Sequence, residues 1–396
     1  MHNNRKNLMI LFFTMIVVML GFGMIIPILP FYIKSFGASG SAMGGLMAVY
    51  GFLQFVFAPI WGGLSDRIGR KPVLMIGILG NAIAQLLFGL STELWMLFAA
   101  RALAGLLSSA TLPTAMAYIG DSTEDKDRSG GMGIIGAAMG LGMVLGPGLA
   151  GVLAEQSLSL PFFLASALSL LALGLVFFLL PEPERKSHLV TEAAKRQSRL
   201  GQMIQALGGP LGVLFLMTFL LTFGLTNFES VFGLYSVDRY SYTPKQVGLV
   251  LTTIGLISAL MQGTATGPLT RRFGEVKIIH LALLGSAVGF VLMTLPDSMP
   301  GVLLTTGFYT FSNAMLNPAV QALISRQARA GQGITMGMSN SFQSLGRIVG
   351  PLYAGNIYDL GMNLPYLSGA AIMAAGLLVS LIWLKNESVS GQKNPG

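Results

Sequence analysis

Residues 8–32 read LMILFFTMIVVMLGFGMIIPILPFY and contain no charged side chain. A helix needs roughly 20 apolar residues to cross the hydrocarbon layer of a membrane, and this run exceeds that length. It contains Pro27 and Pro30 and has no small-residue cleavage site. It is therefore predicted to be a retained first membrane span and not a cleaved signal peptide.

Eleven similar apolar runs, separated by short polar breaks, fill the rest of the chain, in which 53% of residues are hydrophobic and only 10% are charged. Only helices and closed barrels satisfy their backbone groups in lipid, and these runs are too long for barrel strands. The sequence predicts an all-α membrane protein with twelve transmembrane helices. The predicted spans are residues 8–32, 42–64, 72–90, 94–117, 130–154, 160–180, 210–235, 244–269, 276–295, 300–324, 331–357 and 363–384.

The distribution of basic residues predicts the orientation in the cell membrane, because cytoplasmic loops accumulate Lys and Arg. With the N-terminus inside, 19 of the 24 basic residues lie on cytoplasmic segments, and only Lys34, Arg239 and Lys245 lie outside. Both termini are then cytoplasmic. The net charge of +8 is thus explained by topology, and a nucleic-acid partner is not expected. The chain has no cysteine, which excludes disulfides and thiolate chemistry.

The chain is predicted to consist of two pseudo-symmetric six-helix bundles. The N-terminal bundle is residues 1–180, the cytoplasmic central loop is 181–209, and the C-terminal bundle with a short cytoplasmic tail is 210–396. Residues 142–151, GMVLGPGLAG, recur 204 residues later as GRIVGPLYAG, and Pro113 is matched by Pro318. Duplicated bundles of this kind are a common transporter plan, in which the halves rock around a ligand to give alternating access.

Glu229 is the one acidic residue well inside a predicted span. An ionised carboxylate there costs about 2.5–3.5 kcal/mol, so it must be protonated, paired or exposed to water. Such a group can bind a proton or a cationic substrate in turn, which is the simplest form of antiport. The alternative is that Glu229 lies near the outer end of its span and only bonds a neighbouring helix. Arg101 and Arg347 are the basic residues within spans, and Arg347 could pair with Glu229 or Asp359.

Other chemistry finds little support in the sequence. The three histidines are scattered, which gives no metal site, and no phosphate-binding loop of the Walker type is present. We expect no enzymatic activity and no cofactor. The energy source is then expected to be an ion gradient, with protons as the coupling ion, although a carboxylate could also serve sodium.

Several stretches resemble one family of transporters. Residues 62–71, GGLSDRIGRK, are similar to the loop signature of the major facilitator superfamily. Residues 20–30 and 101–105 resemble first-span and fourth-span patterns of its twelve-span drug/proton antiporters, although Ala104 stands where Gln is common. The fifth span resembles the signature of its antiporters through a set of small or bending residues, except that Ala150 replaces a closing glycine. That set is Gly133, Gly142, Gly146, Pro147 and Gly151.

The resemblance implies a bacterial multidrug efflux pump and assigns roles to matching residues. Arg101 would assist Glu229 in proton coupling. A conformational latch would form at the cytoplasmic end of span two, where Asp66 can accept hydrogen bonds from the start of a neighbouring helix. The latch residues are Asp66, Arg67, Gly69, Arg70 and Asp121.

We therefore predict a monomeric, proton-coupled antiporter that exports amphipathic drugs or toxic compounds and confers antibiotic resistance. Its partners are small amphipathic substrates and membrane lipid. A site for such cations needs aromatic walls with few polar groups, and the predicted lining is Glu229, Phe228, Asn313 and Asn317. The alternatives are an exporter of a specific metabolite or sugar, expected to have a more polar pocket, and a non-transporting membrane sensor. An uptake symporter is disfavoured by the fifth-span pattern.

Overall fold

The structure is a computed structural model that describes residues 2–123, 125–183, 199–209, 211–328 and 332–384. The charged part of the central loop, 184–198, lies outside these residues. The described chain is helical and contains no strand. Its α-helices are α1 His2–Ser35, α2 Gly40–Ile68, α3 Arg70–Gly89, α4 Leu94–Leu107, α5 Thr111–Ser122, α6 Asp125–Ala154, α7 Leu160–Leu179, α8 Arg199–Leu207, α9 Gly212–Tyr240, α10 Pro244–Leu260, α11 Thr266–Phe273, α12 Glu275–Leu292, α13 Met299–Ala314, α14 Leu316–Gln327, α15 Gln332–Leu360 and α16 Leu364–Trp383.

Two of the predicted spans are interrupted three to five residues before a proline. A 3₁₀ turn at Ser108–Ala110 separates α4 from α5, and Met315 separates α13 from α14. Proline lacks the backbone N–H that would bond the carbonyl four residues earlier. Pro113 therefore leaves the carbonyl of Ser109 unpaired within the helix, and Pro318 does the same to Ala314. The matched prolines of the sequence repeat thus produce matched helix breaks.

Ten described stretches are long and apolar enough to cross a membrane, which makes the chain a multi-pass membrane protein. The other two predicted spans correspond to α13 with α14 and to α15. The first pair is interrupted at Met315, so neither helix reaches the length of a span. Helix α15 has 29 residues but carries a series of polar side chains that lowers its hydropathy. The all-helical membrane fold is confirmed, and twelve spans are consistent with it.

The described helices form two compact units. Unit 1 comprises residues 1–195, 226–256 and 347–365, and unit 2 comprises 196–225, 257–346 and 366–396. Helices α9, α10, α15 and α16 contribute residues to each unit. The division into bundles at 181–209 follows from the sequence repeat and stays a prediction.

In unit 1, α1 packs along α6, α3 along α7, and α2 against α4. The core between these helices is apolar and includes Leu11, Met15, Ile78, Tyr118 and Ala138, all of which are buried. We call the side of unit 1 at the α2–α3 turn the basic side and the side at the α1–α2 turn the far side. The charge distribution predicts that the basic side is cytoplasmic.

In unit 2, α12 packs against α13 and α14. Gly289 allows this approach, because a Cβ atom at that position would lie 2.9 Å from the Cα atom of Tyr309. The rings of Phe290 and Tyr309 are then 4.6 Å apart between centroids. An aromatic contact of this type stabilises a helix pair beyond the area that it buries.

Gly80 should be required for the packing of α3 against α4. A Cβ atom there would lie 2.2 Å from the Cβ atom of Leu107, so one helix must move. We expect Gly80→Ala to lower the free energy of unfolding by about 1–3 kcal/mol, measured as a lower midpoint of thermal unfolding in detergent. Gly174→Ala is the control, since nothing lies within 4 Å of its added methyl group. Equal midpoints for the two variants would contradict this account of the contact.

Candidate functional site

Glu229 lies in the interior of α9, eleven residues before the helix ends at Tyr240. At 1.5 Å per residue this is about 16 Å from the end. The helix continues past residue 235, where the sequence predicted that it would stop. Every other acidic residue of the described helices lies within three residues of a helix end. The alternative that Glu229 sits near the end of its span is therefore not supported.

The Glu229 side chain is partly exposed and has no hydrogen bond or ion pair with a described residue. Its neighbours on α9 are well fixed: Asn227 Nδ2 donates to the carbonyl of Pro365 at 3.0 Å, and Ser230 is fully buried. The helix around Glu229 is thus packed, while its carboxyl group keeps both oxygens available to a proton or a cation.

Arg101 is fully buried on α4 and is surrounded by rings instead of carboxylates. Its guanidinium carbon lies 5.3 Å from the ring centre of Tyr50, 5.7 Å from that of Phe88 and 5.8 Å from that of Phe22. Nη2 also contacts Met47 Sδ at 3.0 Å. Nε and Nη1 have no hydrogen-bond partner among the described residues. Cation–π attraction is worth about 2 kcal/mol or more when the groups are desolvated, so the rings offset part of the cost of burying this charge.

Arg347 connects the surroundings of Glu229 and Arg101. It lies within electrostatic range of the Glu229 carboxyl group and of Tyr50, and Tyr50 is in turn within range of Arg101. The backbone of Arg347 approaches α2 beside Tyr50, since a Cβ atom on Gly51 would lie 3.3 Å from the Arg347 carbonyl oxygen. No ion pair joins Arg347 to Glu229 among the described residues, so the interaction acts at a distance.

The predicted latch residues meet on the basic side of unit 1, around Arg70. Its Nη1 lies 2.5 Å from Asp66 Oδ1, and its Nε lies 2.8 Å from Asp121 Oδ2. Nη1 also donates to Ser65 Oγ at 2.6 Å. Arg67 is exposed and takes no part in this network. The structure thus brings together Asp66, Arg70 and Asp121, and the latch function itself stays a prediction.

A residue that the sequence did not single out caps the neighbouring helix. Glu182 accepts hydrogen bonds from the backbone N–H groups of Arg70 (2.5 Å) and Lys71 (2.9 Å) at the start of α3. The prediction gave this kind of cap to Asp66, which instead bonds the Arg70 side chain. Gly69, with φ of 115°, makes the turn before α3, and a Cβ atom there would lie 2.8 Å from Glu182 Oε1.

Four residues of the fifth-span pattern lie where α6 touches other helices of unit 1. A Cβ atom added to Gly142 would lie 2.6 Å from the carbonyl oxygen of Ile16, and one added to Gly146 would lie 2.7 Å from the carbonyl oxygen of Leu20. The others are Gly151, which meets α10 at the Pro244 carbonyl oxygen, and Pro147, which contacts Gly23 and Gly248. Gly133 differs, because nothing lies within 4 Å of its Cβ position. Gly133 therefore takes no part in this close packing, and the antiporter role of the five residues stays a prediction.

A polar cluster closes the far side of unit 1. Lys34 forms an ion pair with Asp238, and the Tyr358 hydroxyl donates to the other oxygen of Asp238 at 2.6 Å. Asp359 accepts hydrogen bonds from the backbone N–H groups of Gly40 (2.6 Å) and Ser41 (2.9 Å) at the start of α2. We call Lys34, Asp238, Tyr358 and Asp359 the far-side cluster. Asp359 thus caps a helix and does not pair with Arg347, one of the two partners considered from the sequence.

The predicted lining residues fall in different units. Phe228 belongs to unit 1, is 1% exposed and packs on Phe232 at 5.1 Å between ring centroids. The ring thus fills the interior of unit 1, and its place in a binding site stays a prediction. Asn313 and Asn317 belong to unit 2, and Asn317 is exposed. Within the described residues, no group of three His, Asp or Glu side chains is arranged to hold a metal ion.

The whole chain matches one family model. The model of the Major Facilitator Superfamily matches residues 11–243 and 214–396. The chain belongs to this superfamily. The resemblance identified from residues 62–71 and the fifth span is therefore confirmed. Members of this superfamily are transporters of small molecules and not enzymes.

Relatives within the superfamily include drug resistance proteins that align over nearly their full length. Multidrug resistance protein 2 of Bacillus subtilis is 31% identical over 395 residues, which cover 99% of both chains. Multidrug resistance protein 1 of the same organism is 32% identical over 97% of both chains. The quinolone resistance protein NorA of Staphylococcus aureus is 27% identical, covering 98% of this chain and 100% of NorA.

Solved structures of superfamily members share the fold. The human organic anion transporter MFSD10 (TETRAN) aligns with a TM-score of 0.67 and 25% identity, covering 95% of this chain and 99% of that one. A bacterial homologue of the human lysosomal transporter Spinster aligns with a TM-score of 0.79 at 13% identity, over 95% of this chain and 96% of the other. The second comparison supports the fold alone.

Asp121 should contribute more to the stability of this superfamily member than Asp66 does. Both carboxylates bind Arg70, but the Asp121 side chain is 7% exposed and the Asp66 side chain 49% exposed. We expect Asp121→Asn to lower the free energy of unfolding by about 1–3 kcal/mol, the cost of weakening a buried hydrogen bond to a charged group. Asp66→Asn should cost less than about 1 kcal/mol, as exposed ion pairs do. Thermal unfolding in detergent measures both, and a larger loss for Asp66→Asn would contradict the assignment.

Proposed function

We propose that this chain is a proton-coupled antiporter that exports amphipathic drugs or toxic compounds by alternating access. The observation that carries the proposal is Glu229, the one acidic residue in the interior of a described helix, with no bonded partner in the described chain. The relatives named for multidrug and quinolone resistance support export of drugs as the activity. In a cell this activity would give antibiotic resistance.

The exchange follows from one negative charge and two competing ligands. A carboxylate inside a membrane is stable only when it is neutralised or wet. Protonation neutralises Glu229, and a cationic substrate does so once the proton has left. Arg347 adds a positive charge within range of the carboxylate, which offers it an electrostatic partner when neither ligand is bound. Arg101 assists proton coupling at this site, as the family pattern of the fourth span implies.

The remaining properties of the proposed pump follow from the charge distribution. Both termini and the basic side of unit 1 lie in the cytoplasm, and the far side faces outward. The protein works as a monomer in the lipid of the cell membrane, and it needs no cofactor other than the coupling protons. A membrane gradient supplies about 2.3 kcal/mol per unit charge for each 100 mV, which is enough to drive export against a concentration difference.

Alternating access assigns a role to the far-side cluster. Lys34 and Gly40 belong to helices of the first sequence half, whereas Asp238 and Asp359 belong to helices of the second. The backbones meet closely beneath the cluster, since a Cβ atom on Gly44 would lie 2.2 Å from the Pro351 carbonyl oxygen. Release of substrate on the far side requires these bonds to break. The cluster is therefore proposed to hold the far side closed during substrate loading.

Replacement of Glu229 by Gln should abolish gradient-driven transport. The amide keeps the shape of the side chain but cannot bind or release a proton and carries no charge for a cation. Purified protein in liposomes with an imposed pH gradient, loaded with a fluorescent lipophilic cation, measures this directly. We expect the transport rate of Glu229→Gln to fall to the level of protein-free liposomes.

The matched control is Glu93→Gln, because Glu93 is a carboxylate in a loop that bonds only Trp95 Nε1. It should transport as the wild type does. Transport that survives in Glu229→Gln would move proton coupling to another group. No transport by the wild type over a varied panel of dyes would instead favour the exporter of a specific metabolite.

A covalent link across the far-side cluster should stop turnover. The chain contains no cysteine, so Ser41→Cys with Asp359→Cys can be joined by a short thiol crosslinker without background reaction. The backbone N–H of Ser41 lies 2.9 Å from Asp359 Oδ2, which brings the two positions within reach. We expect transport of the lipophilic cation to be lost on crosslinking and to return after cleavage of the crosslinker by a reductant.

Each single-cysteine variant treated with the same reagent is the control and should keep its transport rate. Full-rate transport by the crosslinked double variant would show that the far side does not open between Ser41 and Asp359. The fraction of crosslinked protein is read from its shift on a gel after labelling of the free thiols.

A further inference from the structure

Helices α13, α14 and α15 carry amide side chains along faces that the fold leaves partly open to water. They form the two predicted spans that are not among the ten apolar ones. Asn313, Asn317 and Gln321 follow one another at four-residue spacing across the break at Met315, and Gln343 lies on α15. Residues four apart lie on one face of a helix, so these amides form a continuous polar edge in unit 2.

Hydrogen bonds join the amides of the two helices. Gln321 Nε2 donates to Ser339 Oγ at 2.8 Å, and the Ser339 hydroxyl donates to Gln321 Oε1 at 3.1 Å. Asn317 Oδ1 accepts from Gln321 Nε2 at 3.4 Å and from Gln343 Nε2 at 3.5 Å. We call Asn313, Asn317, Gln321, Ser339 and Gln343 the amide ledge. All five belong to unit 2.

The ledge keeps both donors and acceptors free within the described chain. No described residue accepts a hydrogen bond from the Asn317 amide, and none donates one to Gln343 Oε1. Asn313 Nδ2 is buried and has no hydrogen-bond partner among the described residues. Asn317 is exposed. A membrane helix places such groups toward water or a ligand and not toward lipid, because an unpaired amide in hydrocarbon costs several kcal/mol.

The ledge carries no charge. The first carboxylate along α13, α14 and α15 is Asp359, sixteen residues after Gln343, which is about 24 Å along the helix. The basic residue of α14, Arg326, is paired with Glu275 at 2.8 Å. The nearest charge along these helices is that of Arg347, one turn after Gln343 on α15, and a positive charge there gives the ledge no attraction for a cation. An amide both donates and accepts, so it matches uncharged groups that do the same.

We propose that the amide ledge binds uncharged hydrogen-bonding groups of the transported substrate, namely amides, carbonyls and hydroxyls. The proposal rests on the proposed transport function and adds a selectivity that Glu229 and Phe228 of the predicted lining do not supply. The ledge discriminates between compounds of equal charge and similar size by their hydrogen-bonding groups. Each such bond replaces a bond that the substrate makes with water, so the selectivity is modest.

The test compares two cations that differ by one hydrogen-bonding group: tetraphenylphosphonium and the same ion with a carboxamide on one ring. Their binding to the purified protein is measured by equilibrium dialysis, and their gradient-driven transport is measured in liposomes. A typical net hydrogen bond changes affinity about 3- to 10-fold. We expect the wild type to bind the carboxamide ion tighter by this factor and to show the same ratio of KM values.

Gln343→Leu should remove the preference and leave the binding of tetraphenylphosphonium unchanged, and Asn317→Leu should also remove the preference. Asn356→Leu is the matched control on α15, since Asn356 Nδ2 bonds only the carbonyl of its own helix at Leu352. It should keep the preference. Equal affinity of the wild type for both ions, or an equal loss for both ions in the leucine variants, would overturn the proposal.

The two readouts separate this proposal from the transport function. Selective binding without gradient-driven transport would support the proposed role of the amide ledge and would refute the antiporter function. Transport of both ions with no preference would support the antiporter function and would refute the proposed role of the amide ledge. Absence of binding for both ions in the wild type would overturn the ledge, because a site of this chemistry has to recognise the carboxamide.

Discussion

A polar group inside a hydrocarbon layer must find a partner in the protein or reach water, and the structure of this chain depends on how each such group does so. The backbone meets the requirement by forming helices throughout the membrane. The few polar side chains within spans meet it in different ways. Arg101 is buried among rings, Glu229 has no bonded partner within the part of the chain that the structure describes, and the amides of the ledge bond one another.

Arg101 and Glu229 meet the requirement for a partner or water in opposite ways. The guanidinium is held in a fixed place by Tyr50, Phe22 and Phe88, and none of these groups gains or loses a proton at neutral pH. The carboxyl group has no such partner and can change its state. A coupling site needs one group that changes and surroundings that do not. Arg347 lies within electrostatic range of the Glu229 carboxyl group and of Tyr50, and it forms no ion pair with Glu229 among the described residues.

Helix N-termini receive a carboxylate on both sides of unit 1. Glu182 caps α3 on the basic side, and Asp359 caps α2 on the far side. The free N–H groups and the partial positive charge at a helix start make such caps favourable. They also join segments that are more than one hundred residues apart in the chain. A bond of this kind is strong enough to order a closed side and weak enough to be broken in a transport cycle.

The sequence by itself determined the membrane class, the helical fold, the repeat and the family, because all of these follow from local hydropathy, spacing and short motifs. Glu229 was also accessible from the sequence, since a lone carboxylate in an apolar run is visible without coordinates. The partners of these residues were not. Glu182, the ring cage of Arg101, the far-side cluster and the bonds between Asn317 and Gln343 join residues from distant segments. The burial of Phe228 and the open position of Gly133 were likewise beyond the sequence. Contacts between helices depend on the rotation and crossing of each helix, and hydropathy carries no information on either. Only the tertiary structure decided them.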